Sequence, residues 1–412
     1  MRDDTRYVVI LGDGMSDRPL QEIGGKTPLE VARTPNMDRL ASQGTCCWVQ
    51  TVPQGMHPGS DVANLSVMGY DPQRFYTGRA PIEAASMGVE LGEGDIAFRC
   101  NLVTIENGVM ADYSAGHITS GEAAGLIESL QDELGDQRFS FHPGVSYRHL
   151  MVWRGGKSGM ECTPPHDISD QPVKPHLPRG EGSKELLELM EKAREILENH
   201  PVNQRRREEG KNPANSVWFW GQGPRPWLPP FSERFGLDGG VISAVDLVKG
   251  IGVLAGLRPV SVPGATGYID TNYQGKVDAA VELLKEHRFV YIHVEAPDEA
   301  GHQGSVETKV QAIEDLDSKV VAPLVEWAER CGHRVRILLT PDHPTPIELK
   351  THSPEAVPFV IWDSKVPVKG AEHYNERAFE HLKPYTLEPG FKVMYLLTQK
   401  ICTNCTAGCG GQ

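Results

Sequence analysis

Three stretches of this chain end an apolar run on residues able to hold a metal ion. Asp13 closes the run in "VVILGDGM". Asp298 and His302 follow another in "YIHVEAPDEAGH". Asp342 and His343 follow a third in "ILLTPDHPTP", and His352 comes soon after in "LKTHSP". An aspartate that ends a strand is often only a turn former. Taken together, however, these are carboxylates and imidazoles at three strand ends, where open α/β sheets build their sites. Asp298 and His302 are spaced i, i+4, so on a helix both would face one ion. The mixed nitrogen and oxygen donors suit zinc or manganese rather than calcium. Six ligands are too many for one tetrahedral site with an open position. Two ions about 3.5–4 Å apart would use them, an arrangement suited to in-line phosphoryl displacement.

Such a site needs a nucleophile. Ser60, in "PGSDVANLSVMGYDP", stands where a helix is expected to begin. A bound metal and the positive helix end would lower its hydroxyl pKa. It could equally cap that helix, and the two roles are compatible.

The elements that must position these groups are legible as alternating strands and helices. Continuous Val, Ile and Leu runs imply buried parallel strands. "TPNMDRLASQG" predicts a helix opened by Thr34 and Pro35 and stopped at Gly44. "SVWFWGQG", "GGVISAVDLVKGIGVLAGL", "RFVYIHVEAPDEAGH" and "HRVRILLTPDHPTP" continue the pattern, with an acidic loop expected after the strand in the third. The fold class is therefore α/β, a mostly parallel sheet covered by helices on both faces. Residues 80–170 differ, with short alternating pieces and "NG" and "GG" turns, and predict an inserted smaller α+β domain. The main domain then comprises 1–79 and 171–400, leaving a Cys/Gly-rich tail at 401–412. Within 171–400, "SKELLELMEKAREILENH" predicts an amphipathic surface helix and "QRRREEGKNP" a solvated loop.

The chain has 412 residues, 23% charged and 39% hydrophobic, with a net charge of −14. That balance argues against nucleic acid or an anionic membrane as partner. No apolar run reaches a membrane span. The N-terminal run reads as a strand rather than a signal peptide, and the eight scattered cysteines read as thiols of a reducing cytoplasm. Cys402, Cys405 and Cys409 could be three legs of a metal site, but without an evident fourth ligand a loose reduced tail is expected.

Nearly end to end, the blocks "VVILGDGMSDRP", "KTPLEVARTPNMDRLASQG", "PGSDVANLSVMGYDP", "FRCNLVTIENGVMADYSAGHI", "HVEAPDEAGHQG" and "TPDHPTPI" resemble the archaeal-type cofactor-independent phosphoglycerate mutases. These belong to the alkaline phosphatase superfamily, so the resemblance implies an alkaline-phosphatase-like sheet. It implies interconversion of 3-phosphoglycerate and 2-phosphoglycerate through a phosphoserine at Ser60. It assigns Asp13, Ser60, Asp342 and His343 to one divalent ion and Asp298, His302 and His352 to the other. The ions would be manganese, with zinc, cobalt or magnesium as alternatives, and no 2,3-bisphosphoglycerate would be needed. Lys309 would neutralise phosphoryl charge, and the inserted domain would close over the site to exclude water. The substrate is a small phosphorylated carboxylate, which calls for arginine forks. Arg79, Arg99 and Arg225 lie in matching blocks, and Asn64 is one helical turn from Ser60. His117, where many relatives would carry arginine, is a proton shuttle or a plain substitution. Another phosphotransferase or phosphatase of this scaffold, or a phosphometabolite sensor, are the competing readings, and the oligomeric state stays open.

Overall fold

The computed structural model describes residues 4–382 and 385–399; the three tail cysteines lie outside them. In chain order the strands are β1 (Arg6–Gly12), β2 (Gly44–Val49), β3 (Ile96–Glu106), β4 (Val109–Asp112), β5 (Phe139–Val145), β6 (Arg148–Trp153), β7 (Ser216–Pro224), β8 (Gly239–Ile242), β9 (Arg258–Val260), β10 (Phe289–Val294), β11 (Val335–Thr340), β12 (Val357–Asp363) and β13 (Thr386–Leu387). They form two sheets, one in each of two compact units.

The first unit takes in the chain up to Tyr76 and again from Leu228. Its eight strands run β13-β2-β12-β11-β1-β10-β8-β9. From β11 to β9 all neighbours are parallel, whereas β12 is antiparallel to both β11 and β2. Every residue of β1, β10 and β11 is buried, as expected for strands covered on both faces. The helix Tyr273–Glu286 packs on β10 and β8, and the helix Ser60–Val67 packs against Asp246–Leu254 and Lys392–Thr398. The register sets the site. Leu11 pairs with His293 on one side and Thr340 on the other, so β1, β10 and β11 end level with one another. Residues just past those ends meet at one edge of the sheet.

The segment after β10 is a helix, Ala296–Gln303, rather than the expected acidic loop. Pro297 in its first turn, with Asp298 and Glu299 beside it, is a favourable helix start. The predicted Thr34 helix runs Pro35–Ser42, although Thr34 makes no side-chain cap, and Gly44 begins β2.

The second unit is Thr77–Trp227, longer at its C-terminal end than the expected 80–170 insert. The reason is β7. It was expected to join the parallel sheet, but it pairs antiparallel with β3 along most of its length. That pairing draws the intervening chain into a five-stranded antiparallel sheet. The amphipathic helix Ser183–Glu198 consequently buries Leu186, Leu189, Ala193 and Leu197 in this unit's core, with Ser120–Leu134 beside it. "QRRREEGKNP" is not a solvated loop either. It begins within a helix, Pro201–Glu208, whose Arg206 is buried. Arg206 donates to the carbonyls of Ala115 and Asn212 and pairs with Glu122 at 3.1 Å. Among the described residues no helix is long and apolar enough to cross a membrane, and the five described cysteines are free thiols.

Candidate metal centre and nucleophile

All seven residues assigned to metal binding meet at the carboxyl edge of the parallel sheet. Asp13, Asp342 and His343 form one group, and Asp298, His343 and His352 another, with ligand atoms of each group within 4.8 Å of one another. His302 joins the second group, its Nε2 lying 3.2 Å from Asp298 Oδ2 and 3.0 Å from His352 Nε2. His343 is shared: its Nε2 is 3.5 Å from both Asp13 Oδ1 and Asp342 Oδ2, and its ring lies 4.2 Å from that of His352. The aspartates and His343 are buried, while Ser60, His302 and His352 are only half-buried and form the accessible side.

Ser60 is the first residue of its helix, with Gly59 in the capping position. Its hydroxyl does not cap. Oγ lies 3.1 Å from His343 Nε2, so the serine faces the ligand cluster from a helix N-terminus. Gly14 makes the turn after β1 possible. Its φ is +58°, and a Cβ there would sit 2.5 Å from Asp298 Oδ1 and 2.8 Å from Asp298 Cα.

The electrostatics call for a cation. Burial, then Asp342 and Asp298, push the Asp13 carboxyl well above its usual range. Burial likewise raises Asp342. Asp298 goes the other way despite burial, because hydrogen bonds from His302 and His352 hold it well below. Burial opposes charge on His302, but the Asp298 hydrogen bond and charge carry it up to about 9. Asp13 Oδ1 is buried without a hydrogen-bond partner. A buried orphan carboxylate oxygen amid hard oxygen and imidazole donors fits divalent metal binding.

A second layer, missed in the sequence, fixes these ligands. His293 Nε2 lies 2.8 Å from Asp13 Oδ2, and His293 Nδ1 lies 3.2 Å from Ser243 Oγ. Asp13, His293 and Glu295 also cluster as potential ligands. Tyr291 donates to Asn64 Oδ1 at 2.7 Å. Thr345 Oγ1 donates to Asp298. Tyr291, His293 and Glu295 alternate along "YIHVE", a period-two polar stripe on an otherwise apolar strand, and that was the available signal.

Two expected roles need correction. Asn64 is not exposed to a substrate. It is fully buried, and its amide donates to Ser60 O at 2.9 Å and to Asp342 Oδ2 at 2.8 Å. Lys309 is also fully buried and does not present its charge to a phosphoryl group. It donates to Asp17 Oδ2 at 2.7 Å, Thr345 O at 2.9 Å and Ser16 O at 3.2 Å, which engages all three ammonium protons. It ties the loop after β1 to the loop after β11. In the second unit, Arg79 and Arg99 come together around Glu83, at 3.0 Å each. Arg225 and His117 are exposed, His117 in a left-handed turn with φ +48°, and no described contact joins either to that pair.

Lys309→Met should therefore destabilise the protein by about 3–5 kcal/mol, because it leaves Asp17 charged, buried and unpaired. Denaturant unfolding reads this; unchanged stability would show that the lysine is not a structural tie.

Comparison with known proteins agrees with this geometry. A family of 2,3-bisphosphoglycerate-independent phosphoglycerate mutases matches residues 41–203. A Geobacter sulfurreducens protein named as a probable enzyme of that kind is 56% identical over 96% of this chain and 100% of its own length. A solved protein of Pyrococcus horikoshii is 31% identical, with a TM-score of 0.80 over 96% of this chain and 97% of that one. A cofactor-independent phosphoglycerate mutase from Thermoplasma acidophilum is 27% identical, with a TM-score of 0.63 over 96% and 99%. With identity this high along almost its whole length, the chain belongs to the 2,3-bisphosphoglycerate-independent phosphoglycerate mutase family.

Proposed function

We propose that this chain is an isomerase that interconverts 3-phosphoglycerate and 2-phosphoglycerate through a phosphoserine at Ser60. The observation that carries the reading is the serine at a helix start, 3.1 Å from His343 and beside both ligand groups. Ser60 Oγ attacks phosphorus in line. The Oγ–P bond forms as the bond between phosphorus and the substrate's C3 oxygen breaks, and the serine's proton is transferred to the departing oxygen. The glycerate then reorients, its C2 hydroxyl attacks the phosphoserine, and Ser60 recovers its proton. No net water or cofactor is consumed.

The positive end of the helix Ser60–Val67 favours the phosphoryl charge. Asn64 holds the Ser60 carbonyl and Asp342 in fixed relation, which orients nucleophile and ligand together. Asp13, Ser60, Asp342 and His343 would hold one divalent ion, and Asp298, His302 and His352 the other. Bound ions supply Lewis-acid stabilisation of phosphoryl oxygens and a lowered serine pKa. Manganese suits the mixed donor set, as do zinc, cobalt and magnesium. Arg79 and Arg99 offer guanidinium forks to the substrate's anionic groups. A cytoplasmic location accords with such a metabolic step.

An enolase-coupled assay lacking 2,3-bisphosphoglycerate tests the reading. Turnover of 3-phosphoglycerate is expected, and Ser60→Ala should reduce it by at least about 10³-fold while leaving thermal stability near wild type. Release of inorganic phosphate without 2-phosphoglycerate would identify a phosphatase instead. His302→Ala should lower bound manganese from about two ions per chain to about one, by elemental analysis. Unchanged metal content would remove His302 from the ligand set.

A further inference from the structure

Three neighbouring strands of the first unit carry a row of polar groups across their carboxyl ends. Leu11 of β1 pairs with His293 of β10, and Ile292 of β10 pairs with Ile242 of β8. Asp13, just past the end of β1, and Ser243, the residue after β8, therefore flank His293 at the edge of the sheet. The Asp13 amide is held there by Val294 O at 2.9 Å. Asp13, His293 and Ser243 are all buried, and groups this buried need assigned hydrogen-bond partners.

The partners run in one direction. The Val245 amide donates to Ser243 Oγ at 2.9 Å. Ser243 Oγ is 3.2 Å from His293 Nδ1, and His293 Nε2 is 2.8 Å from Asp13 Oδ2. A carboxylate oxygen only accepts, so the ring proton belongs on Nε2. The buried ammonium of Lys276 donates to the His293 carbonyl at 2.8 Å, and a second positive charge on the ring of the same residue is disfavoured. The neutral ring then has a bare Nδ1, which requires a donor. Ser243 supplies it: its oxygen accepts from the backbone, and its one proton goes to Nδ1. Asp13 Oδ2 is thereby occupied from the β10 side, which leaves Oδ1, 3.5 Å from His343 Nε2, toward the other ligands. Both nitrogens of His293 are engaged, so the ring keeps no lone pair for an ion of its own. The group formed by Asp13, His293 and Glu295 orients rather than ligates.

We propose that Ser243 is a positioning residue of the metal centre, one that fixes the tautomer of His293 and through it presents Asp13 Oδ1 to the ion shared with Ser60, Asp342 and His343. The inference rests on the two-ion reading made under Proposed function. Ser243 acts through His293 and needs no contact with ion or substrate.

The test is calorimetric titration of manganese into the metal-free full chain, alongside thermal unfolding. The wild type should take up two ions. Ser243→Ala should weaken one of them about tenfold and the other less than about threefold, the scale of a lost outer hydrogen bond. Ser243→Thr keeps the hydroxyl and should restore affinity to within about threefold of wild type. Wild-type affinity at both sites in Ser243→Ala, whatever its melting temperature, would mean a merely structural hydroxyl and would overturn the proposal. A loss that threonine does not restore would overturn it too. If the wild type binds fewer than two ions, the two-ion reading fails and takes the proposal with it. If it binds two, and Ser243→Ala binds them equally well, the proposal alone fails. Should Ser243→Ala not fold, nitrogen NMR of the histidine-labelled, zinc-loaded wild type decides, since it reads the tautomer of His293. A protonated Nε2 with a bare Nδ1 supports the proposal, and a proton on Nδ1 overturns it.

Discussion

Buried carboxylates crowded at one sheet edge are the constraint around which the first unit is arranged. Asp13, Asp298 and Asp342 are nearly inaccessible to water, and burial with mutual repulsion already drives Asp13 toward its protonated form. At an effective dielectric of about 20, two like charges 4 Å apart cost about 4 kcal/mol. Imidazoles relieve Asp298, but Asp13 keeps an oxygen with no hydrogen bond. Divalent cations resolve this tension, and the chain places its best donors where they would sit. The level ends of β1, β10 and β11 make the crowding possible, because parallel neighbours present their carboxyl ends on the same side.

A cluster so costly must be held from outside. Lys309 joins Asp17 and the Thr345 backbone, while Thr345 holds Asp298 by its hydroxyl. His293 orients Asp13, and the chain Tyr291–Asn64–Asp342 links the central strand to the start of the serine helix. Each of the three aspartates thereby has a hydrogen-bonded neighbour that fixes its direction, as metal sites require. The second unit follows the same logic with the sign reversed. There Glu83 lies 3.0 Å from Nε of both Arg79 and Arg99, and the Arg99 guanidinium lies 4.5 Å from the Trp220 ring.

The acidic and imidazole residues that meet at the sheet edge were legible in the sequence, because metal chemistry restricts candidate ligands to few residue types and the fold restricts them to strand ends. The supporting layer was not. Asn64 looked like a substrate contact, since a polar residue near a nucleophile gives no sign of whether it faces the pocket or the core, and Lys309 had its phosphoryl role only from the family resemblance. Tyr291 and His293 were hidden in an apolar strand, although their alternation marked one face. The parallel sheet was readable from continuous apolar runs, but "SVWFWGQG" carries the same pattern and joined the other sheet. Strand propensity does not name a partner. The boundary at Trp227 followed from that pairing alone. "QRRREEGKNP" looked solvated from its charge, yet Arg206 is buried because backbone carbonyls and Glu122 satisfy it.

The most direct test of the central claim is anomalous diffraction from crystals of the manganese-loaded protein. The account predicts two strong peaks at the sheet edge, one against Asp13, Ser60, Asp342 and His343, the other against Asp298, His302 and His352. A single peak, or peaks that leave Ser60 without a metal contact, would contradict it.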